Sequence, residues 1–211
     1  MIQIKTFYFN ELRTCCYLLW DETKEAIVID PGCFSQSEQT RLKKFVDQEG
    51  LIFKYMVNTH AHFDHIMGNA FVCTWWGIKT YIHPDEQLML EHADTHSRMF
   101  GMGIEKPPVD TLPLYEHEPL CFGSSALQVL ATPGHTPGGI CLYAPDEGFV
   151  ITGDTLFAGS IGRTDLPGGD YDQLINSIHK KLFPLNPSVR VLPGHGPETT
   201  MGHERAHNPF L

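Results

Sequence analysis

The fold of this chain is decided by the stretch Thr59-His60-Ala61-His62-Phe63-Asp64-His65, which follows the apolar, strand-like run Tyr55-Met56-Val57. Four side chains of this stretch are suited to binding a metal ion, because neutral imidazole and carboxylate are preferred ligands of zinc and iron. Residues two apart share a face of an extended segment but point to different sides of a helix. The spacing of His60 and His62 therefore predicts a metal-binding loop after a strand. Asp64 and His65 are predicted at the turn into a helix.

Three later segments share one pattern: an apolar strand, a glycine that permits a tight turn, and then a side chain able to bind metal. They are Val129–Gly134 before His135, Val150–Gly153 before Asp154, and Val191–Gly194 before His195. Strand ends at one edge of a sheet are rigid positions from which distant segments can converge. We therefore expect seven ligands to meet, namely His60, His62, Asp64, His65, His135, Asp154 and His195. Seven ligands are too many for one four- or five-coordinate ion, and they divide into two sites that share a carboxylate.

The order of the predicted elements favours an α/β protein of α+β character with two packed mixed sheets and helices outside. Strands are predicted at 2–9, 15–20, 26–30, 55–57, 80–83, 119–122, 126–132, 140–144, 149–152 and 189–192. Helices are predicted at 37–48, from about 64 to 76, and at 171–183. We expect residues 1–211 to form a single domain.

Residues 85–103 have helical spacing but are rich in methionine, and Pro107-Pro108 follows them. Methionine adapts its shape to its neighbours, so the segment is predicted to be a helical lid over the site. An ordinary packed helix pair fits the same pattern. His92 and His96 are four residues apart, and with no third ligand nearby they are interpreted as solvated surface histidines.

Composition limits the partners and the compartment. The formal charge of −10 argues against nucleic acid or an anionic membrane as a main partner, since both attract clustered Lys and Arg. No apolar run approaches the roughly 18 residues of a membrane-spanning helix, and the start lacks the layout of a signal peptide. The six scattered cysteines form no Cys-x-x-Cys pair and are expected to be reduced, which favours a cytoplasmic protein.

The motifs at 59–65, 132–138, 152–157, 162–165 and 192–197 together resemble those of the metallo-β-lactamase superfamily. Within it, the chain looks like the short bacterial form of the type II glyoxalases, the hydroxyacylglutathione hydrolases. The resemblance implies a four-layer αββα sandwich with the metals at one sheet edge. It implies that His60, His62 and His135 hold one metal, that Asp64, His65 and His195 hold the other, and that Asp154 bridges them. It also implies that Asp30 supports the ligand loop, whereas the residues alone indicate only a turn before Pro31.

The expected chemistry follows from the two divalent ions. About 3.5–4 Å apart, two such ions bridge a water and lower its pKa, so that hydroxide attacks a carbonyl carbon. Zinc is the expected metal, and iron and manganese accept the same ligands. Asp64 has a second predicted role as the proton acceptor for the metal-bound water. No serine stands in a Gly-x-Ser-x-Gly setting, so no serine nucleophile is expected.

The resemblance further implies hydrolysis of a small thioester, S-lactoylglutathione, to D-lactate and glutathione. The protein is expected to be a monomer or a homodimer, and the sequence leaves the choice open. Arg163 lies roughly where the glyoxalases place a basic residue that contacts glutathione; pairing of its guanidinium with Asp165 fits equally well. Asp165 stands where longer relatives have a tyrosine, and the helical domain of those relatives is not expected after Leu211. The aspartate in place of the tyrosine and the expected absence of the helical domain both argue against specificity for glutathione.

Three alternatives remain open. One is a persulfide dioxygenase with a single iron on His60, His135 and Asp154. Another is a lactone or ester hydrolase on the same centre. The third is a metal-binding module without activity, which the presence of all seven ligands disfavours.

Overall fold

The computed structural model of the protein describes residues 1–211 and contains two six-stranded mixed sheets. The first sheet runs, in spatial order, β1 (Gln3–Phe9), β2 (Thr14–Trp20), β3 (Glu25–Ile29), β4 (Ile52–Val57), β5 (Thr80–Ile82) and β6 (Leu112–Pro113). The second contains β7 (Leu120–Phe122), β8 (Ser125–Ala131), β9 (Ile140–Ala144), β10 (Phe149–Gly153), β13 (Arg190–Pro193) and β14 (Thr199–Thr200). Its spatial order is β14-β13-β10-β9-β8-β7, and β11 (Leu156–Phe157) with β12 (Ser160–Ile161) forms a separate hairpin.

Helices cover the outer faces of both sheets. On the first sheet, α1 (Gln36–Glu49) and α3 (Asn69–Trp76) bury Leu42, Val46 and Val72. On the second sheet, α6 (Tyr171–Ser177), which continues as a wider turn over Ile178–Leu182, packs beside α7 (Met201–His207). The predicted αββα sandwich is therefore confirmed. None of the helices combines the length and the apolar composition that crossing a bilayer requires.

The main core lies between the sheets, where 19 buried residues form one apolar cluster. All seven residues of β2 are buried, because its outer face is covered by α1 and its inner face by the second sheet. A strand that is buried on both faces reads as a continuous apolar run, which is why Cys15–Trp20 was recognisable as a strand.

The predicted single helix over 64–76 is wrong, because the chain forms α2 (Phe63–Ile66) and then α3 with a break at Gly68. The Gly68 N–H donates to the Pro31 carbonyl at 2.7 Å instead of continuing the helix. A Cβ at Gly68 would clash with that carbonyl and with Cys33 Sγ. Burying Gly68 against the loop after β3 thus outweighs helix continuity, and it places α2 directly at the sheet edge.

The helix predicted over 85–103 is also shorter and divided. After a single helical turn at Pro84–Glu86, α4 (Gln87–Glu91) and α5 (Ala93–Met99) are separated at His92, and no helix continues beyond Met99. The two helices pack on α2 through a small apolar cluster that includes Leu90 and Ala93. The β11–β12 hairpin and α7 were not predicted, since each is too short to give a periodic pattern.

Strand direction brings the candidate ligands together. β3 and β4 are parallel, β10 and β13 are parallel, and β8 has the direction of β10 because both are antiparallel to β9. The segments after the carboxyl ends of these strands carry Asp30, His60, His135, Asp154 and His195. At this edge the sheets touch directly, since the Ile140 N–H donates to the Thr59 carbonyl at 3.0 Å.

Candidate metal centre

Six of the predicted ligands form two groups at this edge. The histidine site consists of His60, His62 and His135, whose donor nitrogens lie within 4.8 Å of one another. The mixed site consists of Asp64, His65 and His195, whose donor atoms also lie within 4.8 Å of one another.

Asp154 lies between the two groups. Its Oδ1 is 3.3 Å from His65 Nε2 in the mixed site. Its Oδ2 is 3.6 Å from His135 Nε2 in the histidine site and 3.6 Å from His195 Nε2 in the mixed site. One carboxylate therefore reaches both groups, which is the arrangement that a shared ligand requires.

Asp30 holds the loop that carries the first ligands. Its carboxylate accepts hydrogen bonds from the Thr59 N–H at 2.7 Å, from the Thr59 hydroxyl at 2.6 Å and from His65 Nδ1 at 2.9 Å. Asp30 is 1% exposed and has a φ of +49°, a left-handed conformation that Asp tolerates better than most residues. By fixing Nδ1 of His65, the carboxylate turns Nε2 toward the centre.

Three other histidines, His60, His135 and His195, are oriented through their outer nitrogens in the same way. His135 Nδ1 donates to the Arg163 carbonyl at 2.6 Å, and His195 Nδ1 donates to the Leu12 carbonyl at 3.1 Å. His60 Nδ1 lies 3.1 Å from the Thr59 hydroxyl, whose proton is already donated to Asp30. Each of these contacts fixes the tautomer that leaves Nε2 without a proton and facing the centre.

The donor atoms fit cations. His60 Nε2 and Asp154 Oδ1 are buried polar atoms without a hydrogen-bond partner. His62 Nδ1 lies 2.8 Å from His135 Nε2, and His65 Nε2 lies 3.4 Å from His195 Nε2. Tetrahedral zinc with Zn–N bonds of about 2.0–2.1 Å holds its nitrogens roughly 3.3 Å apart. Nitrogens at such distances can share a bound cation, so the residues suit two metal ions.

Burial and charge set the protonation of the centre. Burial lowers the pKa of His62 to about 3 and holds the pKa of His60 well below its ordinary value, so both are neutral near pH 7. Burial opposes the charge on His65, but the carboxylates of Asp154, Asp64 and Asp30 outweigh it and raise the His65 pKa well above its ordinary value. Burial also opposes the ionisation of Asp154, and His65 outweighs it by holding the Asp154 pKa well below its usual range. The centre therefore collects ionised carboxylates that attract positive charge.

Two positioning residues near Asp64 were not found from the sequence. The Asn10 side-chain amide donates to the carbonyls of Gly32 and Asp64, each at 3.1 Å. The Thr14 hydroxyl donates to Asp64 Oδ2 at 2.8 Å. Asn10 reads as an ordinary turn residue between β1 and β2, and nothing local to it indicates a partner 54 residues away.

A cavity of about 610 Å³ opens over the centre. Its floor contains His62, Asp64, His135, Asp154 and His195. Its walls are mainly apolar side chains from α2, α4, α5, the β11–β12 hairpin and neighbouring loops, namely Leu12, Phe63, Met89, Met99, Phe100, Phe157, Ile161, Leu166 and Pro167. The segment that was predicted as a lid thus lines the cavity, and its movement stays a prediction. His96 also faces the cavity, while His92 is exposed on the surface.

Arg163 stands at the cavity with its guanidinium paired to Asp165. Arg163 Nε lies 2.7 Å from Asp165 Oδ1 and a terminal nitrogen lies 2.7 Å from Oδ2, so the pair is bidentate. Both side chains are largely exposed, and a pair of this kind adds little to stability. For Arg163 to contact the substrate as predicted, a carboxylate of the substrate must therefore displace Asp165 from the guanidinium.

Comparison with known proteins decides the family. The sequence pattern of the metallo-beta-lactamase superfamily matches residues 10–195, a span that contains all seven candidate ligands. The chain belongs to the metallo-beta-lactamase superfamily. The probable metallo-hydrolase YqgX of Bacillus subtilis (strain 168) is 40% identical over 92% of this chain and 90% of its own length. The hydroxyacylglutathione hydrolase GloC of Haemophilus influenzae is 37% identical over 93% of this chain and 92% of its own length.

Solved structures agree in fold over nearly the whole chain. The structure of BLEG-1 B3 metallo-beta-lactamase superposes with a TM-score of 0.90 at 38% identity, covering 99% of each chain. The di-iron-bound form of TTHA1623 superposes with a TM-score of 0.89 at 40% identity, covering 98% of this chain and all of the other. The protein is thus a metal-dependent hydrolase of the metallo-beta-lactamase superfamily.

Proposed function

We propose that the protein is a dinuclear hydrolase of a small thioester, with S-lactoylglutathione as substrate and D-lactate and glutathione as products. The observation that carries this proposal is the pair of adjoining donor groups that share Asp154 on the floor of one cavity. The similarity to GloC, which is named a hydroxyacylglutathione hydrolase, supports the substrate class.

The donor groups and the cavity walls have different roles in the proposed hydrolysis. Two divalent ions held by the donors supply Lewis acidity, which polarises a carbonyl group and lowers the pKa of water. Phe63, Met89 and Phe100 form part of the apolar wall beside the floor of the cavity. In the reaction the oxygen of a water molecule bonds to the thioester carbonyl carbon, and the carbon–sulfur bond breaks. The leaving sulfur takes up a proton as free thiol.

Asp64 is the residue best placed to hold the proton of the attacking water. It lines the cavity, and its Oδ2 lies 3.2 Å from His195 Nε2 and is held by the Thr14 hydroxyl. Burial opposes the ionisation of Asp64, and the charge of His65 outweighs it and lowers the Asp64 pKa. Asp64 is therefore ionised near neutral pH and able to accept a proton.

Direct attack by water is favoured over a covalent intermediate. None of the residues that line the cavity is a serine, threonine or cysteine. Cys15 lies on β2 near the ligand loops, but burial raises the pKa of its thiol and keeps it protonated. The site offers a nucleophile only in the form of activated water.

The proposal is tested by metal analysis of the purified protein together with an assay for thiol release. We expect two metal ions per chain after loading with zinc, iron or manganese, and one free thiol for each D-lactate formed from S-lactoylglutathione. One iron per chain with oxygen uptake on glutathione persulfide would instead establish the dioxygenase. Turnover of a lactone, or of a β-lactam as the name of BLEG-1 suggests, without thioester hydrolysis would contradict the proposed substrate. It would leave the proposed metal centre unchanged.

Arg163→Ala tests whether the guanidinium binds a carboxylate of glutathione. We expect KM for S-lactoylglutathione to rise about tenfold with little change in kcat, because a charged hydrogen bond to substrate is worth about 1.5–3 kcal/mol and Arg163 must first leave Asp165. Steady-state kinetics on the metal-loaded enzyme measure both parameters.

Two comparisons sharpen this result. Asp165→Ala frees the guanidinium and should lower KM for the same substrate. A thioester of a neutral thiol, which has no carboxylate to bind, should react equally well with the wild type and with Arg163→Ala. Equal KM values of the wild type and Arg163→Ala for S-lactoylglutathione would show that Arg163 pairs only within its own loop and does not bind the substrate.

A further inference from the structure

Glu86 is a buried carboxylate that joins two loops of the centre. It lies in the helical turn just before α4 and is 0% exposed. Its Oε2 accepts a hydrogen bond from the Ala61 N–H at 2.7 Å, and its Oε1 accepts one from the Gly138 N–H at 2.7 Å. A single side chain thereby links two segments that are 77 residues apart in the sequence, Ala61 and Gly138.

Both of these segments carry ligands of the histidine site. Ala61 stands between His60 and His62, and Gly138 follows three residues after His135. Glu86 accepts no hydrogen bond from the three residues of the mixed site, where the buried carboxylate of Asp30 binds His65 instead. Asp30 reaches both donor groups, through His65 and through the Thr59 hydroxyl beside His60, whereas Glu86 contacts only the loops of the histidine site.

The contacts of Glu86 require a carboxylate. Burial raises the pKa of Glu86, and the nearby Thr136 hydroxyl, together with the Ala61 and Gly138 N–H groups, acts in the opposite direction. Both neighbours are donors, so each oxygen must be an acceptor; the amide of glutamine would direct an N–H group at one of them. Space is also limited, because a Cβ at Gly138 would lie 2.9 Å from Glu86 Cγ and 2.9 Å from His83 Nδ1.

We propose that Glu86 is the positioning residue of the histidine site. It fixes the separation between the His60–His62 loop and the His135 loop, and through that separation it sets the affinity of this site for a divalent cation. The inference rests on the proposed two-metal function, and it adds that the affinity of the histidine site depends on a residue that the mixed site does not contact. Because Glu86 directly precedes α4, it also ties the segment that lines the cavity to the loops beneath it.

Glu86→Gln in two ligand-variant backgrounds tests this assignment with zinc alone. His195→Ala disables the mixed site, and His62→Ala disables the histidine site. We expect Glu86→Gln to weaken zinc binding about 10–100-fold in the His195→Ala background, the usual cost of removing a partner that orients ligands. It should leave zinc binding unchanged in the His62→Ala background. Competition with a chromophoric chelator measures each affinity.

Glu204→Gln is the matched control. Glu204 is also 0% exposed and also joins two segments, accepting hydrogen bonds from the Gly159 N–H at 2.9 Å and from the Thr199 hydroxyl at 2.6 Å. Glu204→Gln should lower the melting temperature of the metal-free protein while leaving the zinc affinity of the His195→Ala background unchanged. If loss of stability alone weakened zinc binding, both variants would lose zinc affinity in the His195→Ala background. A positioning role lowers the zinc affinity only in Glu86→Gln.

Specific outcomes would overturn the assignment. An equal effect of Glu86→Gln in both backgrounds, or none in the His195→Ala background, contradicts it. If Glu86→Gln does not fold, Glu86→Asp keeps the charge with a shorter reach and must show the same selective loss of affinity. Failure of the proposed function appears separately in the wild type, as metal uptake without thioester hydrolysis or as no uptake of two ions.

Discussion

Asp154→Ala is expected to abolish hydrolysis and to lower the metal content of the protein together. Asp154 is the only candidate ligand whose carboxylate approaches histidines of both sites, at 3.3 Å from His65 Nε2 and 3.6 Å from His135 Nε2. Removing it takes one donor from each group and one buried negative charge from between the two groups. The loss in kcat/KM should exceed the roughly 10–100-fold that follows from removing a residue that only orients a ligand. Elemental analysis and the thiol-release assay on the same preparation measure both effects.

Asp154→Asn and Asp146→Ala complete this experiment. Asparagine keeps the shape of the side chain, so the expected loss of metal in Asp154→Asn reports the missing charge rather than a disrupted fold. Asp146 is an exposed turn residue, and Asp146→Ala should bind two ions and hydrolyse thioester like the wild type. A fully metallated and active Asp154→Ala would contradict the bridging role and the two-site interpretation with it.

The convergence of the candidate ligands could be predicted from the sequence because each follows a strand that is recognisable on its own. Val150-Ile151-Thr152-Gly153 is apolar, becomes β10 and ends in a glycine before Asp154, and the segment before His195 repeats the pattern in β13. Parallel neighbouring strands then place these ends together without further information. A pattern that is local in sequence thus determines a site that is assembled from distant segments.

The residues that orient the ligands could not be predicted, because their partners are fixed only by tertiary packing. Glu86 and Thr14 stand in segments with no metal-binding pattern, and each meets a ligand loop only after the sheets pack together. The break at Gly68 has the same origin, since the competing hydrogen-bond acceptor is the carbonyl of Pro31 in a different loop. Local propensity favoured one continuous helix there, and a long-range contact overrode it.

Gly194→Ala is expected to lower kcat/KM about 100-fold, because a misplacement of about 1 Å in a catalytic group has that cost. A Cβ at Gly194 would clash with Asp154 Oδ1 and lie 2.8 Å from His65 Cε1. The backbone cannot shift easily, because two hydrogen bonds hold it. The Gly194 N–H donates to the Gly153 carbonyl, and the Gly194 carbonyl accepts from the Cys15 N–H, both at 2.7 Å. The shared carboxylate must therefore move, and zinc affinity should fall with the rate.

Gly103→Ala separates this steric effect from the general effect of replacing a glycine. A Cβ at Gly103 would meet no atom within 4 Å, so the variant should keep wild-type zinc affinity and activity. In Gly194→Ala both zinc affinity and kcat/KM should decline, because one added methyl group displaces Asp154 and His65 from the positions at which they serve the two sites. Wild-type kinetics for Gly194→Ala would mean that the carboxylate can adopt a second position without consequence, and the tight placement of Asp154 would then not be required for hydrolysis.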